Sequence, residues 1–145
     1  MKTQSMRNET IKKYNVIFEI NTRLSDIDVN RNVNNFFYNS YFDTALNNFL
    51  ITNKIIDFNK GKILDLVVES KCNYHQPASF PDHLKIGFSV KKIGNTSVTY
   101  ILGAFKENKI VASGHIVHVY VDRATYRPKK LSRKFRKILE SIKIK

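Results

Sequence analysis

The chain has 145 residues, 42% of them apolar and 26% charged, which suits a single packed domain and argues against wholesale disorder. Its net charge of +13 fits either a solvated lysine-rich surface or a polyanionic partner: a phosphorylated cofactor tail, an acidic carrier protein, RNA or anionic lipid. A single cysteine, Cys72, excludes an internal disulfide, and no Cys/His cluster stands at zinc spacing, so no metal is expected.

The opening MKTQSMRNETIKK lacks an apolar run, and no later stretch is apolar enough to span a bilayer. A cytoplasmic domain over residues 1–145 is expected, with 1–12 and 140–145 as flexible ends. The first strand is YNVIFEI, where alternation places Tyr14, Val16, Phe18 and Ile20 on one face. The polar segment SDIDVNRNVNN follows, carrying Asp26, Asp28 and a series of asparagines. Asparagine suits loops and N-caps better than helix interiors, so a helix is predicted to begin at Asn34 or Asn35. From there Phe37, Tyr38, Tyr41, Phe42, Ala45, Leu46, Phe49 and Leu50 form an apolar stripe about four turns long.

After Asn59-Lys60-Gly61 the period returns to two. Strands are predicted over 63–74, 83–93, 97–106 and 109–121, joined by turns at Pro77–Asp82, Gly94-Asn95 and Glu107-Asn108. Cys72 falls within this alternation as a small core residue, and His115 and His118 point to opposite faces of the last strand, as structural residues. Leu131, Phe135, Ile138, Leu139 and Ile142 then mark a short basic helix capped by Ser132. The whole reads as α+β: an antiparallel sheet of about five strands wrapped around one long helix, plus a short C-terminal helix. The aromatic residues fall mainly on core-facing positions and are not interleaved with basic ones, which argues against nucleic-acid binding.

The run RLSDIDVNRNVNNFFYNSYFDTA resembles the D-x-D-x-x-G-H-x-N-N-x-x-Y signature of hotdog-fold thioesterases of the 4-hydroxybenzoyl-CoA thioesterase-like group. DVNRNVNNFFY is also similar to a run in acyl-carrier-protein thioesterases, and NYHQPASFPDHLKI resembles the family's Y-x-x-P-A-x-x-G-D-x-L turn. IGNTSVTY and VDRATYRPKKL match later patterns, so the likeness covers about residues 14–131. It implies a hotdog fold and a homodimer or dimer of dimers. The implied reaction is hydrolysis of acyl-CoA or acyl-carrier-protein thioesters, with coenzyme A as part of the substrate and no separate cofactor. A hotdog protein that binds the thioester without cleaving it is the alternative.

By this resemblance Asp28 is the catalytic carboxylate, as base or nucleophile, with backbone N–H groups at the helix start holding the oxyanion. Capping of a turn or of the helix is the other reading of Asp28. Asp26 is expected to be structural. Asn30 is read as positioning substrate or water, or as a turn former. Asn32, Asn34, Asn35, Arg31, Tyr38 and His75 complete the expected substrate-binding set, with Asn34 and Asn35 also capping the helix. His75 is either a surface turn histidine or a group reaching the site from across the sheet or from a partner. Arg31-Asn32 replaces the family's Gly-His, which removes any histidine base here and places a cationic side chain where it binds an anion or narrows the site. Arg123, Arg127, Lys129 and Lys130 are candidates for nucleotide phosphates by charge. Phe36, Phe37, Tyr38, Tyr41 and Phe42 imply a partly filled acyl pocket for short, medium or aromatic groups.

Overall fold

Period-two alternation builds a sheet that must cover its apolar face, and the long aromatic helix is the cover. The computed structural model describes residues 9–145. Its elements are β1 (Val16–Asn21), α1 (Asn35–Thr52), β2 (Ile63–Tyr74), β3 (His83–Ile93), β4 (Ser97–Lys106), β5 (Lys109–Asp122) and α2 (Arg133–Ser141). Antiparallel pairing gives the order β1-β3-β4-β5-β2, so β1 and β2 each have a free edge. A short 3-10 turn precedes β1 and another, Leu24–Asp26, follows it. This is the hotdog architecture that the sequence implied. Among the described residues no helix is long and apolar enough to cross a membrane.

Tyr38, Tyr41, Phe42, Ala45, Leu46 and Leu50 of α1 are buried against the sheet. Each large apolar side chain so removed from water contributes about 1.5–3 kcal/mol. Phe49 meets Phe88 of β3 edge-on, with ring centroids 5.5 Å apart. Asn34 caps the helix, its Oδ1 accepting from the Phe36 amide at 3.1 Å. Phe36 itself is 82% exposed and lies outside the acyl pocket expected of it. It precedes the stripe and projects beyond the sheet's cover.

The terminal helix is capped by Ser132, and Leu131, Phe135, Leu139 and Ile142 join the same core. The residues that follow, expected as a loose end, dock on β3: Val90 donates to Ile142 and accepts from Ile144. Tyr14 departs from the face assigned to it. It sits before β1 in a second cluster with Phe105 and Ile110, its ring over Gly87 and Gly103, while Val16, Phe18 and Ile20 face the main core. A 3-10 turn at Ile11–Lys13 breaks the strand period there.

Gly114 of β5 has a different constraint: a Cβ would stand 1.9 Å from the Lys71 carbonyl oxygen of β2. Gly114→Ala is expected to cost about 3 kcal/mol, the upper end of overpacking, measured by urea denaturation.

Candidate active site

The loop between β1 and α1 is organised by a buried carboxylate. Asp26 is fully buried and accepts from the Tyr41 hydroxyl at 2.7 Å, the Arg23 amide at 3.1 Å and Arg23 Nε at 3.2 Å. Burial works to raise the Asp26 carboxyl, but the Tyr41 hydroxyl and the Arg23 side chain and amide outweigh it, holding Asp26 below the usual carboxylate range. The Asp26 carbonyl also accepts from the Asn34 amide at 2.8 Å, which ties the loop to the helix start. The structural role expected of Asp26 is thus borne by specific bonds.

Asp28 lies in the turn that this anchor holds. Its Oδ1 accepts from the amides of Asn30 at 2.9 Å and Asn32 at 3.2 Å. One oxygen caps the turn, the structural reading given for Asp28, while Oδ2 has no hydrogen bond among the described residues. A cleft of about 270 Å³ opens beside it, lined by Asp28, Asn32, Val33, Asn35, Tyr38, Tyr74, His75, Gln76 and Pro77. Val33 donates to Ala78 at 2.7 Å, which brings the Tyr74–Pro77 turn against the helix start.

Asn35 is the first helical residue, and its backbone N–H makes no hydrogen bond within the described chain. Such an amide at a helix start is a ready donor to developing negative charge. Burial pushes the Tyr38 hydroxyl up to about 12, so it stays protonated. Tyr74 donates to the Asn35 carbonyl at 3.3 Å and stands 5.8 Å from the Tyr38 ring. Sequence reasoning left out Tyr74, Gln76 and Val33. Tyr74 and Gln76 flank His75 in the NYHQPA run, and that adjacency was the available signal.

Of the expected set, Asp28, Asn32, Asn35, Tyr38 and His75 come together, while Asn30, Arg31 and Asn34 do not line the cleft. Asn30 is exposed in the Asp28 turn, and Asn34 is spent on the cap. His75 is no surface residue: it is 8% exposed, and its Nε2 lies 2.8 Å from Ser113 Oγ. Arg31 takes a left-handed φ of 63°, its carbonyl accepts from Ser79 Oγ at 2.6 Å, and its side chain is exposed. Arg123 donates to the carbonyls of Asp57, Phe58 and Gly61, so its guanidinium shapes a loop.

A second polar cluster lies in the core away from this cleft. His118 Nδ1 is 3.2 Å from the Tyr120 hydroxyl and 3.6 Å from Asp65 Oδ2, and Tyr120 meets Tyr100 at 2.7 Å. Burial pushes His118 down to about 4 and Asp65 up to about 6.

Comparison with family models matches residues 22–139 to the thioesterase-like superfamily. The chain belongs to that superfamily. The PA5185 protein of Pseudomonas aeruginosa is 36% identical, with 93% of this chain and 96% of that one covered and a TM-score of 0.89. PA2801, a putative thioesterase from the same organism, is 20% identical over 90% and 98% of the two chains, with a TM-score of 0.79. DHNA-CoA thioesterase from Staphylococcus aureus is 22% identical over 86% of each, with a TM-score of 0.75. The last two likenesses speak to the fold. Comparison with curated proteins finds no match.

Two outcomes follow for this thioesterase-like domain. Asp65 is raised on folding, so its charged form costs stability that is present at low pH and lost as pH climbs through about 6. Asp65→Asn is therefore expected to raise the melting temperature at pH 7–8 and to leave it unchanged below pH 4. At Arg31, whose φ is 63°, Arg31→Gly is expected to raise stability by up to about 1 kcal/mol in urea titrations, because glycine enters the left-handed region without the cost that other residues carry there.

Proposed function

We propose that the protein hydrolyses an acyl thioester of phosphopantetheine, carried by coenzyme A or an acyl carrier protein, with Asp28 as the catalytic carboxylate. One observation carries this reading. Asp28, with an oxygen, and Asn35, with a backbone N–H, each unengaged among the described residues, line the same cleft. The carboxylate supplies the base or nucleophile and the amide supplies the oxyanion donor.

As base, Asp28 takes a proton from water as the water oxygen bonds to the thioester carbon. The carbonyl electrons move onto oxygen, where the Asn35 amide donates to them; they return as the carbon–sulfur bond breaks and the thiolate departs. As nucleophile, Asp28 itself displaces the thiolate, and water then cleaves the resulting anhydride. Asn32 and Tyr38 border the acyl group on either route. With Phe36 outside, the aromatic walls are Tyr38 and Tyr74, and a cleft of about 270 Å³ favours short or aromatic acyl groups.

The free edge of β2 supports a homodimer. β2 has twelve residues against six in β1, and at its middle Val67 and Val68 are 51% and 60% exposed. A free outer edge of that length is a template for its own copy. Antiparallel pairing of two β2 strands sets the basic end of one protomer beside the cleft of the other. Arg127, Lys129 and Lys130 are exposed at that end and suit the phosphates of coenzyme A or the acidic face of a carrier protein.

Thiol release from a panel of acyl-CoA and acyl-carrier-protein substrates tests the reaction. Asp28→Ala is expected to lower kcat about 10²–10⁴-fold. Unchanged turnover in that variant would remove Asp28 from the chemistry. Tight binding of intact thioesters with no release from any of them would favour the non-catalytic reading instead.

A further inference from the structure

Alternation along the strands gives the sheet a second face, turned away from α1, and polar side chains gather on one part of it. Two neighbouring rows cross that part. Lys71 of β2 pairs with His115 of β5, which pairs with Ile101 of β4; in the next row on this face Asn73 pairs with Ser113, and Ser113 with Gly103. Tyr14 lies over Gly103 and the adjoining Gly87, so its ring stands beside these rows as a wall. The result is a trough of about 180 Å³, bordered also by Glu9, Lys13 and Lys91. Lys91 is the residue between Val90 and Lys92 at which the β3 register shifts, a bulge of the kind that re-aims a side chain.

The carboxylates near this trough are already matched. Glu9 accepts from Lys13 and, at 2.9 Å, from the Tyr14 hydroxyl, while Glu69 stands 3.7 Å from His115. Lys71 and Lys91 form no ion pair among the described residues. Two positive charges without a counter-charge therefore border one small concavity, and a bound anion would relieve their repulsion. Neutral donors stand with them. Ser113 is 7% exposed and its hydroxyl is held by the 2.8 Å contact with His75 Nε2, and Asn73 adds a side-chain amide.

We propose that this trough binds a phosphate group, as inorganic phosphate or as the head of a small phosphomonoester. Charge selects the class: a dianion matches two unpaired lysines, whereas a monocarboxylate leaves one of them unmatched. Size narrows it further. The trough lies below the roughly 300–1,000 Å³ of sites that enclose drug-sized ligands, so it encloses the phosphate and leaves any larger organic portion outside. The site is separate from the cleft, since no residue lines both.

Thermal melting of the full chain tests this at matched ionic strength, because a chain of charge +13 is stabilised by any salt that screens it. Sodium chloride, acetate, inorganic phosphate and glycerol phosphate are compared. A saturable rise in melting temperature is expected with phosphate beyond that with chloride or acetate, and the same rise with glycerol phosphate extends the site to monoesters. Lys71→Met and Lys91→Met keep the apolar stems of exposed side chains, and each is expected to weaken phosphate binding about tenfold, as loss of one charge-assisted hydrogen bond does. Lys134→Met, which removes an equal charge from α2, and Asp28→Ala, in the cleft, are expected to leave it unchanged.

Amide NMR spectra give a second readout: phosphate is expected to move the signals of Ser113 and Gly114 and to spare that of Asn35. An equal rise with acetate, a phosphate effect that survives in the Lys71→Met/Lys91→Met double variant, or an equal loss in Lys134→Met would each overturn the site.

Discussion

The hydrogen bond from Tyr41 to Asp26 is the constraint on which the rest of this structure depends. A carboxylate with no exposure is costly unless several donors meet it, and here the donors come from two elements. Tyr41 belongs to the helix and Arg23 to the loop, so satisfying one buried charge fixes the loop to the helix. The Asp26 carbonyl repeats the connection through the Asn34 amide. Asp28 then has little choice of position. It lies two residues beyond the anchor, inside a turn that its own Oδ1 closes.

The two aspartates therefore divide their work by environment and not by residue type. Asp26 has its carboxylate consumed by donors, while Asp28, which lines the cleft, commits one oxygen to the turn and leaves the other without a hydrogen bond among the described residues. A turn-capping role and a chemical role are compatible in one carboxylate for this reason. Capping by Oδ1 holds the carboxylate plane, and a held carboxylate is worth more to a reaction than a mobile one. His75 shows the reverse arrangement. It borders the cleft, and its Nε2 is directed to Ser113 inside the fold.

Much of the fold was legible because alternation and helical spacing report local geometry directly. The strand limits, the caps at Asn34 and Ser132 and the apolar stripe of α1 all follow from residue type and period. What was not legible depended on neighbours distant in sequence. Tyr14 continues the alternation of β1 but turns to the other face, because Gly87 on the neighbouring β3 and Gly103 on β4 beyond it leave room for its ring. Arg123 was counted as free cationic charge, and only the folded loop shows three carbonyls converging on it. Asp28, Asn32, Asn35, Tyr38 and His75 were legible as members of one cleft. The exclusion of Asn30, Arg31 and Asn34 was not, since turn geometry sets which way each side chain leaves the loop.

Arg31 carries this point furthest. Read as sequence, an arginine in place of glycine threatens the site with a bulky cation. The backbone supplies a different explanation for the glycine: φ at this position is 63°, a region glycine enters freely and other residues enter at a cost of about 1–2 kcal/mol. Glycine here serves the turn, so its replacement is a charge against stability. The turn keeps its geometry because the Asp28 carbonyl accepts from the Arg31 amide at 3.0 Å and Ser79 donates to the Arg31 carbonyl. With the backbone held, the arginine side chain is carried outward into solvent and stays off the cleft lining. The departure from the family pattern thus alters what the loop costs to fold and leaves open the space in front of Asp28.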